Sequence, residues 1–124
     1  MKDIIFDEFQ NSVDQCLLRH KSILDIITKL QESQSRINRA VVKSVTNCGC
    51  TTICSCDEDE DLDKFLNSHL SGDLCDNCRE KIEEEIGTNL FYLVSLCNTL
   101  DLNLYDILLK ENNKLNTLGK FNLR

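Results

Sequence analysis

The sequence contains no proline. Proline interrupts helices because it lacks the backbone N–H and its ring clashes with the preceding turn, so nothing of that kind stands in the way of long helices. Glycine is scarce too, at Gly49, Gly72, Gly87 and Gly119. No apolar run reaches the roughly 18 residues that a membrane-spanning helix requires, so no membrane interaction is expected. The N-terminus reads Met1-Lys2-Asp3-Ile4-Ile5-Phe6-Asp7-Glu8 and turns acidic at once, without the apolar stretch of a secretory leader. The expected location is therefore cytoplasmic. Positive charge is in deficit: 14 Lys and Arg against 21 Asp and Glu give a net charge of −7 and a pI near 4.7. Nucleic-acid binding depends on cations that neutralise phosphates, so general DNA or RNA binding is not expected.

What the sequence does contain points to one helical domain. Its 124 residues match a single domain, and 41% hydrophobic with 28% charged residues exclude wholesale disorder. Alternating strand patterns are missing, whereas spacings of three and four recur. Ile5, Phe9, Val13, Cys16 and Leu17 mark a first helix. Ile23, Ile26, Ile27, Leu30, Ile37, Val41 and Val45 mark a long one over about 21–46. Ile82, Ile86, Leu90, Leu93, Val94, Cys97 and Leu100 mark a third over 79–100. After Asp101-Leu102-Asn103, Tyr105, Leu108, Leu109, Leu115 and Leu118 mark a last. The expected fold class is all-α, an antiparallel four-helix bundle spanning residues 1–124. The apolar stripes are wider than one small bundle covers, which predicts a homo-oligomer.

Eight cysteines are the strongest compositional signal. Disulfides are rare in the cytoplasm, so clustered cysteines there point to metal or redox chemistry. Six of them fall within residues 47–78, as Cys48-Gly49-Cys50, Cys54-Ser55-Cys56 and Cys75-Asp76-Asn77-Cys78. This segment reads as a cysteine-rich insertion, with a short helix near 61–70 around Leu62, Phe65 and Leu66. Zinc takes four soft ligands in a tetrahedron, and two knuckles from separate segments supply them. The expected ligands are Cys48, Cys50, Cys75 and Cys78, which tie the end of the long helix to the start of the next. Cys54 and Cys56 are spare, exchange with the first pair, or share a second ion, and His69 is the one histidine nearby. Thiolates also suit an iron–sulfur cluster. A redox CxxC normally follows a strand in a βαβ pattern, and no such pattern is visible. Cys16 and Cys97 lie on apolar stripes and read as buried core residues.

The C-terminal half carries a family resemblance. Glu84-Glu85-Ile86-Gly87-Thr88-Asn89-Leu90-Phe91-Tyr92-Leu93, then Leu96-Cys97-Asn98, then Leu104-Tyr105-Asp106-Ile107-Leu108-Leu109-Lys110 resemble the MazG-like all-α nucleotide pyrophosphohydrolases. Residues 29–41 stand where that family's first acidic helix lies. The resemblance implies a MazG-like bundle, dimers or tetramers, and magnesium-assisted hydrolysis of a nucleoside triphosphate to monophosphate and pyrophosphate. Magnesium needs hard oxygen ligands in near-octahedral array. Here Glu32 occupies the first acidic position, but Ser33 and Arg36 replace the next two. Glu85 opens the second motif, and Thr88 replaces its aspartate. A fixed cation at Arg36 repels a metal ion.

Those departures lead to a non-catalytic reading: a MazG-like, zinc-binding helical protein acting as a ligand-binding or protein-interaction module. Arg36, Arg39 and Lys43 recur on one side of the long helix, where they either pair with Glu83–Glu85 or hold a nucleotide or another phosphate. One alternative is a magnesium-dependent nucleoside triphosphate pyrophosphohydrolase using Glu32, Glu84 and Glu85. Another is a cysteine-based metal sensor or regulator.

Overall fold

The computed structural model describes residues 2–53 and 68–118. In chain order these form α1 (Lys2–Cys16), α2 (Ile23–Lys43), a π-helical turn (Ser44–Cys48), strands β1 (Thr51–Ile53) and β2 (Leu70–Gly72), α3 (Asp76–Thr99) and α4 (Leu104–Leu118). The described residues are thus mostly helical, with a helix at each of the four places where the apolar periodicity puts one. Two of the helices have clear polar starts. The Ser22 hydroxyl accepts the Leu24 N–H ahead of α2, and Asn103 Oδ1 accepts the Asp106 N–H ahead of α4. Each satisfies a donor that the first helical turn leaves without an intrahelical partner.

Two differences from the sequence expectation bear on the site. The long helix stops being α-helical at Lys43, not near 46, and widens into the π turn, closed by the Gly49 N–H on the Ser44 carbonyl at 3.0 Å. A two-stranded antiparallel ribbon is present, pairing Thr51 with Gly72, Thr52 with Ser71 and Ile53 with Leu70. Strands of three residues are too short to show an alternating pattern in sequence. Residues 54–67, which include Cys54, Cys56 and most of the helix expected near 61–70, lie outside the described residues; at its far end, Leu70 already belongs to β2.

The chain divides into two compact units, Met1–Leu30 with Leu90–Arg124, and Gln31–Asn89. The divisions fall within α2 and α3, and the second unit carries the paired cysteines of the described residues. In the first unit α1 packs on α4, with the Phe6 and Tyr105 rings 6.0 Å apart. Gln10 fastens α1 to the turn before α4: its amide donates to the Leu102 carbonyl at 2.6 Å and accepts the Leu104 N–H at 2.9 Å. The Asn98 side chain donates back to the Gln10 carbonyl. Val13, Ile26, Val94 and Cys97 are buried here.

Cys97 occupies the core position expected of it, and burial pushes its thiol pKa up, which keeps it neutral. Cys16 does not: it is exposed. It is the last residue of α1, and Val13, one turn earlier, takes the buried place on that stripe. The other stripes are also only partly covered, since Ile27, Val41, Ile86, Leu90 and Leu93 remain exposed. Among the described residues no helix is long and apolar enough to cross a membrane.

The buried Ile26 and its exposed neighbour Leu24 give a direct check on this core. Ile26→Ala is expected to lower unfolding stability by about 2–5 kcal/mol. Leu24→Ala, at a site 71% exposed, should change it by less than about 0.5 kcal/mol. Denaturant unfolding of the two variants measures the difference.

Candidate metal centre

The described residues of the second unit include few buried apolar side chains. Among its described residues only Ala40 and Ile82 are buried and apolar, against the polar Ser33, Ser44, Thr51 and Glu85. The Ser33 hydroxyl has no hydrogen-bond partner among the described residues. These described residues gain little from the hydrophobic effect and depend more heavily on specific polar or covalent ties.

The ties converge after α2. Ser44 Oγ lies 2.6 Å from the Val41 carbonyl, to which it donates, and 2.8 Å from Thr51 Oγ1, joining the π turn to β1 with both side chains buried. Gly49 follows the turn with φ +79°, the left-handed region that glycine enters without a Cβ penalty. That reversal lets Cys48 and Cys50, on either side of it, face one centre. Cys50 Sγ also approaches the Ser44 carbonyl at 3.7 Å.

The opposite half of the centre is the start of α3. Cys75 immediately precedes the helix, its carbonyl accepts the Arg79 N–H at 2.9 Å, and its sulphur accepts the Cys78 N–H at 3.4 Å. Cys75 thus takes the place of a helix N-cap, with a sulphur acceptor instead of an oxygen. Cys78, one turn along, points to the same side. Cys48 and Cys75 bring their sulphurs to 3.6 Å. The Sγ atoms of Cys48, Cys50, Cys75 and Cys78 all lie within 4.8 Å of one another. These are the four cysteines expected as ligands, and His69 is not in the group.

This set fits a single tetrahedral ion. Metal–sulphur bonds of about 2.3 Å place tetrahedral sulphurs about 3.8 Å apart, so small side-chain movements complete the shell. Cys48 is exposed and the other three partly buried, which leaves the centre open to loading from solvent. The thiols are electrostatically unequal. The backbone N–H of Cys78, then the Cys78 and Cys48 thiols, stabilise the Cys75 thiolate and lower its pKa to about 7. The Cys75 sulphur in turn pushes Cys78 up to about 12 and raises Cys48. Cys75 is therefore partly ionised near neutrality, and a divalent ion must displace protons from Cys48 and Cys78, so metal affinity rises with pH.

A cleft of about 590 Å³ adjoins the centre within the same unit. From α2 it receives Glu32, Arg36, Arg39 and Lys43; from α3 it receives Asn77, Cys78, Lys81 and Glu85. The three cations read from the sequence thus share one cavity with Glu32 and Glu85. They do not pair with Glu83–Glu85: Arg36 bonds Glu32 at 3.1 Å, while Lys81 holds Glu85 at 3.2 Å. Among the described residues Arg39 and Lys43 form no ion pair. The Glu85 side chain is 11% exposed, so its pair with Lys81 is the less hydrated of the two. Glu83 and Glu84 are exposed, and Glu84 does not line the cleft.

Two contributors escaped the sequence reading. The Ser44–Thr51 hydroxyl pair gives no spacing signal, because its two members join different elements. Lys81 was not singled out, although its position four residues before Glu85 was a usable sign. No family model, curated protein or solved structure matches the chain.

Gly72 gives the sharpest local check on the centre. It has φ +86°, and a Cβ there would lie 2.6 Å from the Cys50 carbonyl oxygen. Backbone must move to admit it. At Gly49 a Cβ meets nothing within 4 Å, leaving only the conformational cost, about 1–2 kcal/mol. Gly72→Ala is therefore expected to weaken metal binding and lower stability more than Gly49→Ala, as read by chelator competition and thermal unfolding.

Proposed function

We propose that the chain is a non-catalytic, MazG-like helical protein whose cysteine centre binds one zinc ion and whose adjoining cleft binds an anionic ligand such as a phosphate or nucleotide. The approach of four cysteine sulphurs to within 4.8 Å carries this reading. A soft, four-thiolate set favours zinc over magnesium or calcium, which prefer oxygen. The compactness of the set favours a single ion over an iron–sulfur cluster, whose several irons hold their cysteines farther apart. A structural ion also suits a unit with so little apolar core among its described residues, since its binding energy becomes folding energy. In this reading Cys54 and Cys56 are not required as ligands.

Two cleft cations without ion-pair partners among the described residues, Arg39 and Lys43, support the ligand half of the proposal. The exposed row Ile86, Leu90 and Leu93 on α3, spaced by four and three residues, supports a homo-oligomer in which a second copy covers that face.

The meeting of Glu32 and Glu85 in one cleft gives the pyrophosphohydrolase alternative its best support. Against it, each of these carboxylates is already paired with a cation. Ser33, Arg36 and Thr88 leave too few oxygen ligands to fix magnesium and orient an in-line attack. A metal sensor differs from the proposed structural site by ready exchange of its ion.

Anaerobic purification should yield roughly one zinc per chain, with a native mass above the 14.2 kDa of one chain. Joint replacement of Cys75 and Cys78 by serine should remove the metal and lower stability. Purified protein without zinc contradicts the proposal; iron in its place supports the site but not the metal. Pyrophosphate release from a panel of nucleoside triphosphates, with magnesium or manganese, should stay below the range of about 1–1000 per second common to enzymes. Turnover within that range, lost in Glu85→Gln, favours the alternative. Ser33→Glu, Arg36→Glu and Thr88→Asp combined should create hydrolysis if missing carboxylates are what silences the natural chain.

A further inference from the structure

The cysteine centre and the cleft share structural parts. Cys78 belongs to both: its sulphur is in the four-cysteine group, and the residue lines the cleft beside Asn77. The cleft's other wall ends at Lys43, and the π turn that follows directly carries Cys48. An ion held by Cys48, Cys50, Cys75 and Cys78 therefore joins the two walls at one end of the cavity. We propose that the metal centre governs the cleft: metal occupancy sets the spacing of Arg39 and Lys43 against the first turns of α3, and metal and anion bind with positive coupling. This rests on the metal-site and cleft readings above.

The sign of the coupling follows from two opposed effects. Four thiolates around a divalent ion carry excess negative charge, which opposes a nearby anion. That charge faces solvent, because Cys48 is exposed and Cys75 and Cys78 are only partly buried, and salt screens exposed charges. The ordering effect is not screened. Without the ion, the described polar ties from the α2 end toward α3 are a long Cys48–Cys75 sulphur contact at 3.6 Å, the Ser44–Thr51 pair and the three-residue ribbon, and a ribbon of that size is marginal alone. An anion that needs both walls must then supply the ordering free energy itself, whereas with the ion in place that ordering is already present. Linkage makes the effect reciprocal: whatever factor the ion adds to anion affinity, the anion adds to metal affinity.

The cation content fixes the class of ligand. Arg36 and Lys81 are held by Glu32 and Glu85, which among the described residues leaves Arg39 and Lys43 for the ligand. A small anion with two or more negative charges, presenting oxygens to both a guanidinium and an ammonium group, fits that pair. Inorganic pyrophosphate is a suitable probe.

The test uses the full chain loaded with cobalt, which reports on its thiolate ligands through the sulphur-to-cobalt charge-transfer band. Pyrophosphate binding is first measured by calorimetry. Saturating pyrophosphate should then shift the charge-transfer band and tighten cobalt binding, in competition with a chelator, by about fivefold or more, the lower end for coupled sites. The exposed double variant Arg39→Glu, Lys43→Glu should lose both effects while binding cobalt normally in the absence of pyrophosphate. It also corrects for cobalt that pyrophosphate takes up in solution. If pyrophosphate binds but leaves band and cobalt affinity unchanged, or weakens cobalt binding beyond that correction, the coupling is overturned and the cleft reading stands. If cobalt binds and pyrophosphate does not, the cleft reading falls, and the coupling with it.

Discussion

The convergence of Cys48, Cys50, Cys75 and Cys78 is the constraint on which the Gln31–Asn89 unit depends. Its described interior holds two apolar residues, Ala40 and Ile82, and a larger group of polar ones, so the packing of the described residues alone gives them little hold on their shape. Short-range devices compensate. The Ser44–Thr51 pair locks the π turn to the ribbon, Gly72 admits the Cys50 carbonyl, and Cys75 caps α3 with its sulphur. Each acts within a few residues of a cysteine, and together they aim the four sulphurs at one point.

The same geometry explains why the cleft has the composition it does. Arg36 and Lys81 each hold a carboxylate four residues away on their own helix, pairs of a kind that are weak at a surface and stronger where water is excluded. Their effect is to remove Glu32 and Glu85 from service as oxygen ligands while leaving Arg39 and Lys43 without partners among the described residues. A magnesium site would need the opposite, with free carboxylates and no fixed cation. On the proposed reading the cleft takes an anion rather than a divalent ion, and the four sulphurs beside it are the group that could hold a metal.

Much of this was legible in the sequence, for physical reasons that differ by element. The helices were readable because periods of three and four persist over many residues, and the cysteines because paired thiols at short spacing have few other uses. The ribbon and the π turn were not, because three or five residues carry no period. Cys16 misled because a stripe extrapolated to the last residue of a helix passes beyond the neighbours that would bury it. The basic row Arg36, Arg39 and Lys43 was visible, but its distribution between Glu32 and an open cleft depends on packing that spacing does not encode. Glu85 was visible as an acid, and its burial was not.

The central claim is that four thiolates hold one ion and thereby pin the end of α2 to the start of α3. X-ray absorption at the zinc edge of the purified protein tests it most directly. The account predicts a single shell of sulphur scatterers, roughly four in number at about 2.3 Å, lost when Cys48 and Cys75 are replaced by serine. A shell dominated by nitrogen or oxygen, or one unchanged by those replacements, would contradict it.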